Sequence, residues 1–192
     1  MRRIAIFASG GGSNAEKIIH YFAGHPTIII EMVVCNSKNA GVLDIARKNR
    51  IKSEIISKSD FYENNALSLF LISQKIDFII LAGFLWLLPD HLLKSYPDKI
   101  LNIHPSLLPR YGGHGMYGHF VHEAVKENGD NESGMTIHVV NEKYDEGKII
   151  FQARCPISDD MQSNDIAREV LNLEHKYFAP VIEDYIQGFK QI

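Results

Sequence analysis

The sequence lacks the features that mark several large classes of protein. It has only two cysteines in 192 residues, Cys35 and Cys155, and no CxxC pair, which favours a reduced, cytoplasmic setting over a disulfide framework. No apolar run approaches the roughly 20 residues of a membrane span. The short N-terminal apolar run ends in glycines and not in a cleavage site, so it indicates a buried strand. The formal net charge of −3 offers no basic surface for nucleic acid.

Apolar patterning predicts one α/β domain over residues 1–192. Continuous apolar strands joined by helices are typical of an open, mostly parallel, twisted sheet with helices on both faces. A hairpin of two further strands, the first of them half-exposed, and a long closing helix complete the chain. The predicted strands are 4–8, 28–34, 54–57, 78–82, 100–103, 135–141 and 149–153, and the predicted helices are 14–22, 40–50, 61–74, 90–95 and 164–186.

Three glycines follow the first strand, in Ser9-Gly10-Gly11-Gly12-Ser13-Asn14. Glycines allow a ligand to approach bare backbone, and the start of the next helix presents unpaired N–H groups that suit a phosphate. The motif is neither GxGxxG nor a Walker loop. The alternative is a tight turn in which Ser13 or Asn14 caps the helix. We expect a phosphate site because ligands favour this end of open α/β sheets.

A second group of polar residues lies in the segment LNIHPSLLP, where Asn102 and His104 end a core strand. Their spacing of two places both side chains on one face. An amide and an imidazole together can hold a developing oxyanion and relay a proton. The alternative is a structural histidine with satisfied hydrogen bonds.

Two more segments indicate a functional site only when they are taken together with the glycine loop and the Asn102–His104 pair. The turn Tyr144-Asp145-Glu146-Gly147 carries an acid, which beside His104 would favour the imidazolium but could equally be ordinary turn chemistry. The apolar segment after the fourth strand, Leu81 to Pro89, could wall a pocket for a flat heterocycle or pack beneath a loop. His114, His119 and His122 could in principle chelate zinc, but with no HExxH and no nearby cysteine we expect no metal.

Taken together, these segments resemble the phosphoribosylglycinamide formyltransferases, folate-dependent enzymes of purine biosynthesis. LNIHPSLLP is the most specific match, and SGGGSN, LAGF and YDEG resemble the family's phosphate loop, folate-side strand end and catalytic-acid turn. The resemblance implies a cytoplasmic enzyme, monomeric or homodimeric, that uses 10-formyltetrahydrofolate as co-substrate. It implies catalytic roles for Asn102, His104 and Asp145. It implies substrate binding by Gly12, Ser13, Asn14 and Glu174, and folate binding by the backbone of Leu85, Leu87 and Leu88. Beside these we expect Gly11 to bind substrate and Phe84 and Trp86 to bind folate.

Two departures from the family pattern concern the folate side and the mouth of the site. Trp86 stands where many members have arginine, and we expect its ring to line the folate-side wall; the alternative is packing beneath the helix 90–95. The stretch YGGHGMYGH, residues 111–119, is longer than in some members.

Other functions remain as alternatives. Formyltetrahydrofolate hydrolases resemble this domain but usually add an N-terminal regulatory domain and a second histidine where Pro105 stands. Methionyl-tRNA formyltransferases add a C-terminal domain. A non-catalytic nucleotide-binding module would explain the glycine loop, but it has no need of the Asn102–His104 pair.

Overall fold

The computed structural model describes residues 1–189, and the chain divides into two compact units, residues 1–101 and residues from 102 onward. The single domain expected over 1–192 stays a prediction, and its last three residues lie outside the described range. The expected α/β class with a seven-stranded, mostly parallel sheet is confirmed.

The first unit alternates strands and helices around a buried central strand. Its β1 (Arg2–Ala8) pairs in parallel with both β2 (Ile28–Cys35) and β4 (Phe78–Leu81), and β2 pairs in parallel with β3 (Lys52–Ile55). Residues 4–8 of β1 have no exposed surface, as expected of a strand covered on both faces. The elements are β1 Arg2–Ala8, α1 Ser13–Tyr21, β2 Ile28–Cys35, α2 Gly41–Lys48, β3 Lys52–Ile55, α3 Lys58–Tyr62, α4 Ala66–Ser73, β4 Phe78–Leu81 and α5 Asp90–Ser95.

The helix predicted over 61–74 is wrong, because the chain forms two short helices there, α3 and α4. Ser57 caps the first by accepting a hydrogen bond from the Asp60 N–H at 3.2 Å. Asn64 Oδ1 accepts from the Ala66 N–H at 2.8 Å at the start of the second. Short polar side chains that bond nearby backbone compete with helix continuation, and here each of the two begins a separate short helix.

The second unit carries the antiparallel hairpin. Strand β5, Ile100–His104, contains the boundary between the units, and α6 His119–Glu127, β6 Glu132–Val139, β7 Ile149–Pro156 and α7 Ser163–Gly188 follow. β6 and β7 pair antiparallel, and α7 packs against α6 and both strands of this pair. A capping box between Gln162 and Asp165 starts α7.

The expectation that the first hairpin strand is half-exposed is wrong, because residues 133–139 of β6 are all buried. Two of its buried polar side chains, Thr136 and His138, have hydrogen-bond partners. Thr136 Oγ1 accepts from the Leu108 N–H at 3.0 Å and donates to the Ser106 carbonyl at 2.6 Å. The alternation of polar and apolar residues therefore reflects hydrogen bonding on one buried face, not solvent.

Candidate active site

The end of β5 presents Asn102 and His104 in the second unit. His104 is 4% exposed, and its Nε2 donates to the Tyr111 carbonyl oxygen at 2.7 Å. Asn102 Nδ2 lies 3.1 Å from His138 Nε2. Both side chains are therefore held by groups from other segments and not by their own strand.

Asp145 completes the expected trio from the turn between β6 and β7. Its Oδ2 accepts from the Gly113 N–H at 2.9 Å and lies 3.5 Å from His104 Nδ1. The backbone at Asp145 is left-handed, with φ 55°, and the side chain is 11% exposed. A Cβ on Gly147 would lie 1.6 Å from the Val139 carbonyl oxygen, so only glycine allows the turn to close here. The fold thus brings Asn102, His104 and Asp145 to one place.

Sequence reasoning missed His138, which lies between Asn102 and Asp145. The side chain of His138 is 2% exposed, and its Nδ1 donates to the Val139 carbonyl at 3.1 Å. Its Nε2 faces both Asn102 Nδ2 and, at 3.6 Å, Asp145 Oδ1. The sequence feature that could have pointed to His138 was its period-two spacing from Thr136. We interpreted the polar residues at this spacing as the solvent-facing side of a half-exposed strand.

In this trio, burial and the neighbouring groups shift the pKa values of His104 and Asp145 in opposite directions. Burial lowers the pKa of His104, the nearby Asp145 carboxylate and the Tyr111 carbonyl raise it, and the net direction is down. Burial raises the pKa of Asp145, but its neighbours His138 and His104 and the Gly113 N–H outweigh burial and lower it. The expectation that Asp145 keeps His104 protonated is therefore opposed by desolvation, while Asp145 itself stays ionised.

A cavity of about 470 Å³ opens beside Asp145 within the second unit. Apolar side chains and backbone of two segments line it, the one after β5 and the β6–β7 turn. The lining includes Leu108, Gly113, Tyr144, Asp145 and Ile149. Its mixture of apolar walls and two carboxylate side chains, those of Asp145 and Glu146, is typical of a small-molecule site.

In the first unit the glycine loop leads into α1 as expected. Gly12 is the N-cap residue, with φ 83°, and no side chain caps the helix, so neither Ser13 nor Asn14 acts as the cap. A Cβ on Gly12 would lie 2.7 Å from Val42 Cβ. The Val42 N–H donates to the Gly10 carbonyl at 3.2 Å, which fixes the loop against the start of α2. Gly11 and Ser13 are exposed, so this helix start is open to a ligand.

The segment after β4 combines buried and exposed apolar residues. Phe84 and Leu88 are buried, whereas Leu85 and Leu87 are 56% and 37% exposed. Ser9 ties this segment to the end of β1, because its N–H donates to the Gly83 carbonyl at 3.0 Å and its Oγ accepts from the Leu85 N–H at 2.9 Å. The Leu85 N–H is therefore already engaged, which leaves its carbonyl as the backbone group open to a heterocycle.

Trp86 lies in a cluster of aromatic rings. Its ring centroid is 5.3 Å from that of Phe61, 6.0 Å from Tyr62 and 6.1 Å from Phe84. The alternative to the folate wall was packing beneath α5, but the ring packs against α3. Because Trp86 is half-buried, part of its surface remains open.

The remaining predicted residues lie in helices of the second unit. Glu174 is 7% exposed within α7. His122 is 6% exposed in α6, and burial, helped by nearby His104, lowers its pKa to about 4. Among residues 1–189 no three histidine, cysteine, aspartate or glutamate side chains form a group that could hold a metal ion. None of the helices described in this range combines the length and the apolar composition of a membrane span.

The chain is similar to known proteins over nearly its whole length. A family model described as Formyl transferase matches residues 2–182. The chloroplastic phosphoribosylglycinamide formyltransferase of Arabidopsis thaliana is 40% identical over 187 residues, covering 94% of this chain and 64% of that protein. The enzyme of that name from Haemophilus influenzae is 33% identical over 193 residues, covering 98% of this chain and 89% of that protein. The chain spans 64% and 60% of the length of the Arabidopsis and Vigna unguiculata relatives.

Solved structures agree with the sequence relatives. Glycinamide ribonucleotide transformylase 1 from Symbiobacterium toebii superposes with a TM-score of 0.89 at 29% identity, covering 100% of this chain and 91% of that one. Phosphoribosylglycinamide formyltransferase from Brucella melitensis gives 0.86 at 33% identity, with 99% and 98% covered. The predicted resemblance and fold are confirmed: the chain belongs to the formyl transferase family and, within it, to the phosphoribosylglycinamide formyltransferases.

Proposed function

We propose that this chain transfers the formyl group of 10-formyltetrahydrofolate to the amine of glycinamide ribonucleotide. The observation that carries the proposal is the buried cluster of Asn102, His104 and Asp145 in a member of this family. His104 Nδ1 lies 3.5 Å from Asp145 Oδ2, so a carboxylate is in place to stabilise an imidazolium. A module that only binds a nucleotide has no use for this arrangement.

The reaction is a direct acyl transfer. The substrate amine attacks the formyl carbon, the carbonyl π electrons move to oxygen, and a tetrahedral intermediate forms with a negative oxygen and a positive nitrogen. Asn102 donates a hydrogen bond to that oxygen, and so does Nδ1 of the protonated His104 ring, whose Nε2 remains on the Tyr111 carbonyl. A water held by Asp145 carries a proton from the substrate nitrogen to N10 of the folate, the C–N10 bond breaks, and the carbonyl re-forms. The products are the formamide and tetrahydrofolate, and no side chain is acylated.

His104 can donate to the oxyanion only as the imidazolium, and it takes the extra proton on Nδ1 from solvent and returns it to solvent after the products form. Because burial holds its pKa below the ordinary value, the neutral ring dominates at pH 7 before the reaction. A negative oxygen developing beside the ring favours the imidazolium, and Asp145 lowers the free energy of that charged form. Asp145 therefore acts mainly when charge appears on the substrate.

The binding roles follow the family pattern. The substrate phosphate binds at Gly11, Gly12, Ser13 and Asn14, because the start of α1 has no side-chain cap and its residues Gly11 and Ser13 are exposed. Glu174 contacts the glycinamide part. Backbone of Leu85, Leu87 and Leu88, with Phe84 and Trp86 as apolar surface, binds the folate.

The experiment is to incubate the protein with glycinamide ribonucleotide and 10-formyltetrahydrofolate and to measure formylated ribonucleotide and tetrahydrofolate. Both should appear in equal amounts with EDTA present, and His104→Ala should lose roughly 100- to 1,000-fold in rate while staying folded. Formate released without glycinamide ribonucleotide would instead favour the hydrolase alternative. Activity abolished by EDTA and restored by zinc would contradict the metal-free mechanism.

The small-molecule partners are those of the reaction. Contact with nucleic acid or membrane, and any oligomer beyond a monomer or homodimer, are not expected. A cytoplasmic location stays a prediction, and the Arabidopsis and Vigna unguiculata relatives are named chloroplastic.

A further inference from the structure

Asp130, in the turn before β6, is the centre of a hydrogen-bond network that the reaction does not use directly. Its side chain is 11% exposed. Arg110 Nη2 donates to both carboxylate oxygens at 2.6 and 2.7 Å, the Tyr111 hydroxyl donates at 2.8 Å, and Asn128 Nδ2 donates at 2.9 Å. Burial raises the pKa of Asp130, but hydrogen bonds from these three donors outweigh it and lower the pKa. Asp130 therefore stays ionised and fully bonded.

Two of these donors belong to the corner that holds His104. The backbone at Tyr111 is left-handed, with φ 55°, and its carbonyl oxygen accepts from His104 Nε2 at 2.7 Å. Ser106 Oγ donates to the Arg110 carbonyl at 2.6 Å from the inner side of the same corner. A non-glycine residue in this conformation is strained and persists only when its surroundings hold it. On the outer side, Asp130 holds this corner in place by accepting hydrogen bonds from Arg110 and Tyr111.

We propose that Asp130 is a positioning residue for His104. It anchors Arg110 and Tyr111 so that the Tyr111 carbonyl stays on His104 Nε2, which directs Nδ1 at Asp145. Its effect on catalysis rests on the proposed function, whereas its effect on the ring of His104 does not.

Loss of this anchor changes the balance of groups around His104. Asp145 and the Tyr111 carbonyl favour the imidazolium, while burial and His138 disfavour it, and His122 of α6 is a further imidazole nearby. When Arg110 and Tyr111 are no longer anchored, the Tyr111 carbonyl stabilises the His104 imidazolium less, while the effects of Asp145, burial and His138 remain. The imidazolium then becomes harder to form, and the ring can rotate away from Asp145.

The direct test is an NMR titration of the histidines in Asp130→Ala without substrates, with the His104 signal assigned from its loss in His104→Gln. The pKa of His104 should fall by about half to one unit, since a hydrogen bond to a charged donor is worth on the order of one unit. Tyr111→Phe removes only one bond to Asp130 and should shift it in the same direction by less. Glu132→Gln, which breaks an exposed pair with Arg154 beside the same turn, is the matched control and should not shift it.

The kinetic test separates positioning from general destabilisation. At pH 7.5 kcat of Asp130→Ala should fall about three- to tenfold with KM little changed, following the shift in His104. The deficit should shrink as pH is lowered toward 6. Glu132→Gln should match the unmodified protein at every pH.

The outcomes are decisive in either direction. A folded Asp130→Ala, or Tyr111→Phe if the alanine variant does not fold, with an unmoved His104 titration would overturn the proposal. An equal loss of kcat at every pH would also overturn it, because a merely structural role predicts that pattern. If the unmodified protein lacks transferase activity, the proposed function fails, and the NMR titration still tests the anchor.

Discussion

Replacing Asp145 with asparagine is the sharpest test of the electrostatics of the trio. The two side chains have the same shape. Asparagine Oδ1 can still accept from the Gly113 N–H, as Asp145 Oδ2 does at 2.9 Å. The new Nδ2 then faces His104 Nδ1, where the carboxylate oxygen lay at 3.5 Å, and donates to its lone pair. His104 Nε2 already donates to Tyr111, so asparagine stabilises the neutral ring at both nitrogens.

The magnitude follows from the separation of the two charges. Unit charges 3.5 Å apart interact by roughly 5 kcal/mol at an effective dielectric constant of 20, which is an upper bound because both groups were desolvated. An opposite charge at this range shifts a pKa by about 1 to 3 units. With Asp145 only 11% exposed, solvent screens little of this effect. If the imidazolium is needed in the transition state, kcat at pH 7.5 should fall roughly 10- to 1,000-fold.

The assay is kcat between pH 5.5 and 9, together with an NMR titration of His104. The variant should lose most activity at high pH and recover part of it as pH falls. A higher proton concentration protonates His104 even without the negative charge of Asp145. Glu142→Gln, which neutralises an exposed carboxylate of the same turn, should behave like the unmodified protein. An Asp145→Asn protein that keeps kcat within threefold, with His104 titrating unchanged, would refute the reasoning.

Three further predictions concern the loop, the buried histidine and the tryptophan. Gly12→Ala should destabilise the protein by about 2 to 4 kcal/mol, because it places a Cβ at φ 83° and 2.7 Å from Val42 Cβ; urea unfolding measures this, and failure of Val42→Gly to recover part of the loss would contradict the packing. His122→Gln should flatten the loss of stability between pH 6.5 and 4, measured by urea unfolding at several pH values, and equal slopes would disprove a role for this imidazole. Trp86 emission should respond to a folate analogue, and a response to glycinamide ribonucleotide alone would mean that the two binding surfaces are assigned the wrong way round.

The sequence predicts the parts of the site that depend on local pattern. Period two along β5 placed Asn102 and His104 on one face, and glycines before a helix predicted the open start of α1. Both signals lie within a few residues of the feature that they predict. Asp145 was placed beside His104 only by family resemblance, because nothing local brings a hairpin turn to that strand end.

The remaining contacts could not be predicted because they join distant segments. His138 reaches Asn102 across 36 residues of chain, and Asp130 reaches Tyr111 across 19. A buried polar residue in β6 has the same sequence pattern as an exposed one, and only tertiary packing distinguishes them. The break between α3 and α4 was local in origin, but the apolar spacing on either side of Asn64 and Asn65 concealed it.

Burial of the imidazoles links the site to the acid stability of the protein. The pKa values of His104 and His122 are both lowered in the folded state, so the unfolded chain binds their protons first as pH falls below about 6.5. Their neutral forms therefore contribute stability that is present above that pH and is lost as pH falls toward the folded value, which is about 4 for His122. For His122 alone this amounts to about 3 kcal/mol, at roughly 1.4 kcal/mol per unit. Asp145, whose pKa is also lowered, contributes stability that is lost only at lower pH, below its ordinary value of 3.8. Between pH 6.5 and 4 the two histidines, and not the Asp145 carboxylate, should therefore set how the stability of this site responds to acid.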